Sequence, residues 1–184
     1  MKKLDRRIQM SKSFLKQALI SLLTKKQISH ITVKELCELA DVNRSTFYAH
    51  YTDLDALLNE MENDIIEQLT RALQAYIKNE EDTNIIIEKL IEFIGEKHEE
   101  CEVLLSDHSN LSFEKKIRNV AHQFLLTDWK SIPITDERLF DYISAFIISG
   151  SIEVVKTWLY NGRDRTPKEI AHLINELVTN GRMF

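Results

Sequence analysis

The segment NRSTFYAHY, Asn43–Tyr51, packs many hydrogen-bonding groups into one short stretch. A guanidinium (Arg44), two hydroxyls (Ser45, Thr46), two phenols (Tyr48, Tyr51) and an imidazole (His50) follow one another almost without interruption. A guanidinium can hold a guanine edge with two parallel hydrogen bonds. Hydroxyls, phenols and imidazoles can donate to phosphate oxygens, which positions a protein on nucleic acid without reading its sequence. On a helix, at about 100° per residue, Phe47 shares a face with Asn43 and roughly with His50 and Tyr51. Phe47 is the side chain to bury, against Leu19, Leu36 and Val42. Arg44, Ser45, Thr46 and Tyr48 then point outward at the helix N-terminus. Asn43 suits the N-cap and is spent on the helix rather than on a ligand.

Such a tip needs a scaffold, and the preceding residues supply one. Phe14, Leu15, Ala18, Leu19, Leu22 and Leu23 repeat at three- and four-residue spacing and predict a first helix from about Arg6 to Thr24. Thr32, with Glu35 three residues on, is a capping-box pattern opening a second helix whose buried face is Val33, Leu36, Cys37 and Ala40. Ala40 is small enough for a close helix crossing. Asp41 tolerates a left-handed backbone better than most residues, and Val42 plugs the turn. A helix, a three-residue turn and a short helix with a polar tip form a helix-turn-helix with core Leu36, Ala40, Val42 and Phe47. Its second helix fits a major groove. Thr32 and Lys34 stand at the start of the second helix, where backbone N–H groups already face an anion. The candidate DNA-binding residues are Thr32, Lys34, Arg44, Ser45, Thr46, Tyr48, His50 and Tyr51, with base reading centred on Arg44.

At this point the stretch ITVKELCELADVNRSTFYAHYTDLDALL resembles the DNA-binding segment of TetR-family (TetR/AcrR-type) transcriptional regulators, over about residues 8–66. Two residues depart from that pattern: Asp41 stands where the family usually has Gly, and Leu54 where many members carry a phosphate-touching Lys. The stretch AFIISGSIEVVKTWLYNGRDRTPKEIAHLI resembles the C-terminal segment common in TetR regulators of Gram-positive bacteria. The resemblance implies a homodimer built by pairing the last two helices with their twins, through Ile148, Ile152, Val155, Ile170, Leu173, Ile174 and Leu177. It implies double-stranded DNA with an inverted-repeat operator as partner, and repression relieved by a small-molecule effector bound in an apolar pocket between helices 5, 7 and 8. The other implied reading is a co-activator of the same fold that acts through a protein partner.

Composition agrees with that organisation. With 4 Gly and 2 Pro in 184 residues and no alternating strand patterns, the expectation is an all-α fold of about nine helices. The net charge of −5 hides an asymmetry. Residues 1–55 hold ten Lys/Arg against six Asp/Glu, a net +4, and the remainder is net −9. A basic head on an acidic body means that only the head meets a polyanion. The expected division is therefore a DNA-binding head, residues 1–55, and an effector-binding and dimerisation body, residues 56–184.

The longest apolar run, YISAFIISGSI, is too short to span a bilayer, and no signal-peptide pattern is present, so no membrane contact and a cytoplasmic location are expected. Cys37 and Cys101 have no paired spacing and read as reduced, partly buried thiols. His98, Glu99, Glu100 and Cys101 are adjacent but lack a second cluster to complete a metal site. The chain shows no nucleophile elbow, no Gly-rich phosphate loop and no paired carboxylates in a marked context. Neither an enzyme, nor a resident metal, nor a cofactor is expected.

In the body, Leu54, Leu57, Leu58, Met61, Ile65, Leu69, Leu73 and Tyr76 predict a long fourth helix from Asp53 to about Ile77. A short sixth helix is expected near Glu102–Asp107. The eighth helix, Asp136–Tyr160, is apolar over most of its circumference and is expected to be buried by more than one neighbour. Thr166, Pro167 and Glu169 open the last helix as N-cap, first residue and capping-box partner.

Overall fold

The computed structural model describes residues 2–78, 82–128 and 137–181. The stretch before the eighth helix that holds Trp129 and Pro133 lies outside them, and so does the pair Glu80 and Glu81. The described residues form nine α-helices and no strand. They are α1 (Lys2–Leu23), α2 (Val33–Ala40), α3 (Arg44–Tyr48), α4 (Leu54–Lys78), α5 (Thr83–Glu96), α6 (His98–Leu104), α7 (Ser112–Asp128), α8 (Glu137–Tyr160) and α9 (Pro167–Gly181). The sixth helix begins four residues before its expected start, because the charged run His98–Glu100 is the solvated first turn of a helix rather than a loop.

By packing, the chain divides into two compact units. The first runs up to Ile65 and also takes in Val103–Leu111; the second holds Ile66–Glu102 and the chain from Ser112 onward. The division falls inside α4, ten residues beyond the expected head, and the first unit is not contiguous in sequence.

In the first unit, Leu15, Leu19, Leu23, Leu36, Phe47, Leu57 and Leu58 are completely buried. Each comes from an apolar stripe repeating at helical spacing. Phe14 departs from expectation: it stands at the edge of the α1 stripe and remains 46% exposed. The α2–α3 turn is built by capping chemistry. After Ala40, Asp41 adopts φ 51 and ψ 43. Its N–H reaches the Glu38 carbonyl at 3.4 Å, and the Val42 N–H reaches that of Cys37 at 3.0 Å. This is a Schellman motif, in which a left-handed residue closes the last turn of a helix.

The second unit repeats the device at the end of α8. Gly162, at φ 70, and Arg163, at φ 59, donate to the carbonyls of Leu159 and Trp158. Trp158 is buried, and its Nε1–H donates to the Arg165 carbonyl at 2.8 Å. A Cβ added to Gly95 of α5 would meet Cη2 of Trp158 at 3.1 Å, so the missing side chain lets the indole lie against α5. At the start of α9 the capping box is reciprocal. The Thr166 N–H donates to Glu169 Oε2 at 2.8 Å, and the Glu169 N–H donates to Thr166 Oγ1 at 3.3 Å. Leu125, Ile147, Ile148 and Ile152 form a buried cluster packed by Ile117, Ala121, Phe140, Ile143 and Val178. The eighth helix is not covered all round: Leu139, Tyr142 and Phe146 are 47%, 76% and 75% exposed.

Candidate nucleic-acid interface

The site is the tip of the helix-turn-helix. Asn43 caps α3 as expected: its Oδ1 accepts from the Ser45 N–H at 2.9 Å and from the Ser45 hydroxyl at 2.9 Å. Ser45 thereby commits its hydroxyl hydrogen to the cap and is left exposed chiefly as an acceptor. Arg44 is exposed, Thr46 half-buried and Phe47 fully buried. Tyr48 is 53% exposed and held edge-on against the Phe47 ring, with centroids 5.3 Å apart. One aromatic residue thus anchors the helix while its neighbour is presented outward. His50 is half-buried, its ring 6.4 Å from that of Tyr51.

At α2, Thr32 Oγ1 accepts from the Glu35 N–H at 3.2 Å, which is the expected cap. The reciprocal half of the box is absent here. Glu35 turns instead to Lys26, at 2.6 Å, and so ties the α1–α2 connection to the first turn of α2. Lys34 is exposed, with Glu38 one turn on at 3.9 Å, a separation that leaves its ammonium available to a phosphate.

Tyr51 is a correction. It was expected to flank the recognition helix as a phosphate donor, yet it is only 4% exposed and its hydroxyl donates to Glu60 Oε1 at 3.1 Å. Burial, then the Glu60 charge, pushes its phenol upward in pKa. Lys12 reaches Glu60 Oε2 at 2.9 Å and sits 5.3 Å above the Tyr51 ring, and Lys16 bridges Glu60 at 2.8 Å and Asp64 at 2.6 Å. Burial alone would raise the Glu60 carboxyl; the hydrogen bonds from Lys16 and Lys12 outweigh it and hold it at about 2. This network joins α1, Tyr51 and α4 into one frame. Its sequence signal was Lys12 and Lys16, one turn apart, matched by Glu60 and Asp64, also one turn apart.

The residues expected at a dimer surface separate into two groups. Ile148, Ile152, Val155, Ile170 and Ile174 are buried within the single chain, so they are already spent on its own core. Ile148 and Ile152 belong to the buried cluster against α7. Leu173 and Leu177 are 45% and 58% exposed. The outward apolar side chains of α8 include Leu139, Tyr142 and Phe146, whose i, i+3, i+7 spacing marks one helix face; none of the three was expected at the dimer surface.

The histidine–cysteine run is not assembled into a site. His98 directs Nδ1 at the Gly95 carbonyl, 3.2 Å away, and Cys101 is buried. Burial pushes the Cys101 thiol up to about 12, which leaves almost no thiolate near neutrality. Among the described residues no group of three or more His, Cys, Asp or Glu could hold a metal ion. No described helix is long and apolar enough to cross a membrane.

Comparison with known proteins meets this geometry from the other end of the chain. The family TetR_C_8, described as transcriptional regulator C-terminal region, matches residues 81–180. A TetR transcriptional regulator from Streptococcus agalactiae 2603V is similar at a TM-score of 0.70 and 26% identity, over 95% of this chain and 96% of that one. Thermus thermophilus FadR, a TetR-family repressor solved in complex with lauroyl-CoA, shares the fold at a TM-score of 0.61 and 14% identity, over 94% and 95% of the two chains. The uncharacterized HTH-type transcriptional regulator YxbF of Bacillus subtilis (strain 168) is 23% identical over 177 residues, which are 92% of this chain and 45% of YxbF. The chain thus spans less than half the length of that curated relative. A family match over more than half the chain, joined to a helix-turn-helix with its tip exposed, leads to one conclusion: the chain belongs to the TetR family of transcriptional regulators.

Proposed function

We propose that the protein is a cytoplasmic homodimeric repressor that binds an inverted-repeat operator and leaves it when a small-molecule effector binds the body. The observation that carries the DNA-binding part is the division of labour at α3. Phe47 and Asn43 are consumed by the fold, while Arg44 and Tyr48 are exposed beside them. A short recognition helix reads few base pairs, so specificity calls for two of them related by a two-fold axis. Leu139, Tyr142 and Phe146 on α8, with Leu173 and Leu177 on α9, are exposed apolar side chains suited to such an axis. Release by an effector requires only that it bind the DNA-competent arrangement less well than another.

Binding of Arg44→Ala and Lys34→Ala variants to operator and random DNA at two salt concentrations tests the reading. Arg44→Ala is expected to lower the operator-to-random ratio by about 10-fold or more, since a bidentate base contact discriminates by ~1–3 kcal/mol. Lys34→Ala is expected to weaken both DNAs alike and flatten the salt slope by roughly one phosphate. Uniform loss for Arg44→Ala would make it a phosphate clamp and pass base reading to Ser45, Thr46 and Tyr48. Operator binding that occurs only with a second protein present would favour a partner-dependent co-activator.

A further inference from the structure

His108 lies in the turn between α6 and α7, distant in sequence from the DNA-binding tip, yet it belongs by packing to the first unit. Three consecutive buried residues, Val103, Leu104 and Leu105, bring the segment there. The turn that follows is braced from within. The Ser106 hydroxyl donates to the Val103 carbonyl at 2.7 Å and accepts from the His108 N–H at 3.2 Å. His108 then makes two bonds to the corner between α1 and α2. Its ring Nδ1 lies 2.8 Å from the Leu23 carbonyl, and its own carbonyl accepts from the Ile28 N–H at 2.9 Å. Leu23 is the last residue of α1, where carbonyls lack intrahelical partners. Ile28 opens the short 3-10 turn Ile28–His30 that delivers the chain to Thr32, the cap of α2.

We propose that His108 is a positioning residue for the DNA-binding head: by gripping Leu23 and Ile28 together it fixes the α1–α2 corner from which Thr32 and Lys34 are presented. The proposal rests on the DNA-binding reading of those two residues. A carbonyl oxygen can only accept, so Nδ1 must carry the hydrogen. The neutral Nδ1–H form and the imidazolium both satisfy the bond, so the grip needs no particular charge. What it needs is that tautomer and that ring position. The corner is also tied to α2 by the Lys26–Glu35 pair at 2.6 Å, but Gln27, the residue before Ile28, gives no side-chain cap to the 3-10 turn, and the bonds from His108 are the ones that reach it from far along the chain. The anchor is covalently continuous with α6 and α7, so displacement of that turn would draw on the corner through two bonds.

The test uses the full chain, nitrogen-15 labelled, as wild type, His108→Ala and His108→Asn. Asn is chosen because its side-chain N–H lies close to where Nδ1–H stood. Long-range proton–nitrogen spectra of neutral wild type should show His108 as the Nδ1–H tautomer, and an Nε2–H tautomer would overturn the proposal. Amide exchange at Ile28 should quicken about 5-fold in His108→Ala, as for loss of one bond worth ~1 kcal/mol, and return toward wild type in His108→Asn. The amides of Phe47, Leu57 and Leu58 should not change. Equal acceleration across all of these would reduce His108 to a general stabiliser and sink the idea, as would no change at Ile28. Operator affinity should fall with the Ile28 effect while the salt slope stays fixed, because no phosphate contact is removed. Should the wild type bind no operator, the DNA-binding reading fails separately, and tautomer and exchange still decide whether His108 sets the corner.

Discussion

Tyr51 and Glu60 share a hydrogen bond of 3.1 Å that fastens the turn after α3 to α4. Glu60 also holds Lys12 and Lys16 of α1, so one carboxylate organises three elements of the head. Its carboxyl is depressed from 4.5 to about 2. The folded state therefore binds this proton more weakly than the unfolded state. The stabilisation is present in full above pH 4.5 and is lost as pH falls from there toward 2. Glu60→Gln should cost about 1.5–3 kcal/mol near neutrality, the range for hydrogen bonds to a charged group. It should also remove part of the wild-type acid sensitivity. Urea titrations of both proteins at pH 7 and pH 3 measure this; equal losses between the two pH values in both proteins would deny Glu60 its role.

Asp41 occupies a left-handed conformation at the end of α2, with a negative charge at the negative end of that helix. Both features work against it. Asp41→Gly should stabilise by about 1 kcal/mol and raise Tm by roughly 2–4 °C. Asp41→Asn keeps the side-chain shape and removes the charge, so it should recover only the electrostatic part, ~0.3–1 kcal/mol. Asp41→Ala should be the least stable of the three. A calorimetric ranking with Ala above Gly would mean that the turn does not hold this backbone in solution.

Phe146 and Leu177 are 75% and 58% exposed in a single chain, while Ile148 is 6% exposed. Phe146→Glu with Leu177→Glu should weaken self-association by roughly 100-fold, as for loss of central interface anchors, and leave helicity intact. Ile148→Glu should instead unfold the second unit, because it puts a charge into the core. Light scattering and circular dichroism over a concentration series separate the two cases. A dimer undisturbed by the double change would place the interface elsewhere.

Much of the head was legible because its instructions are local. Thr32 with its Glu35 amide, Asn43 with its Ser45 amide, and the left-handed Asp41 all act within a few residues, where spacing alone specifies the bond. Tyr51 was not legible for the opposite reason. Whether it faces solvent or core depends on Glu60 and Lys12, which reach it from other helices. The burial of Ile148 and Ile152, expected at a dimer surface, was illegible for a related reason. Periodicity marks α8 as apolar on more than one side, but only its packing against α7 shows that Ile148 and Ile152 face inward and Phe146 outward. His108 gave no signal, since a histidine in a polar turn looks the same whether or not a helix end waits opposite it.

The discontinuity of the first unit bears on how the protein is made. Residues 1–65 leave the ribosome without Val103, Leu104 and Leu105, which complete their packing. At typical synthesis rates the missing segment follows on the order of 2–10 s later. The packing of the head cannot be completed before that downstream piece of chain has been made. Any shortening of the chain before Leu111 would remove part of that packing.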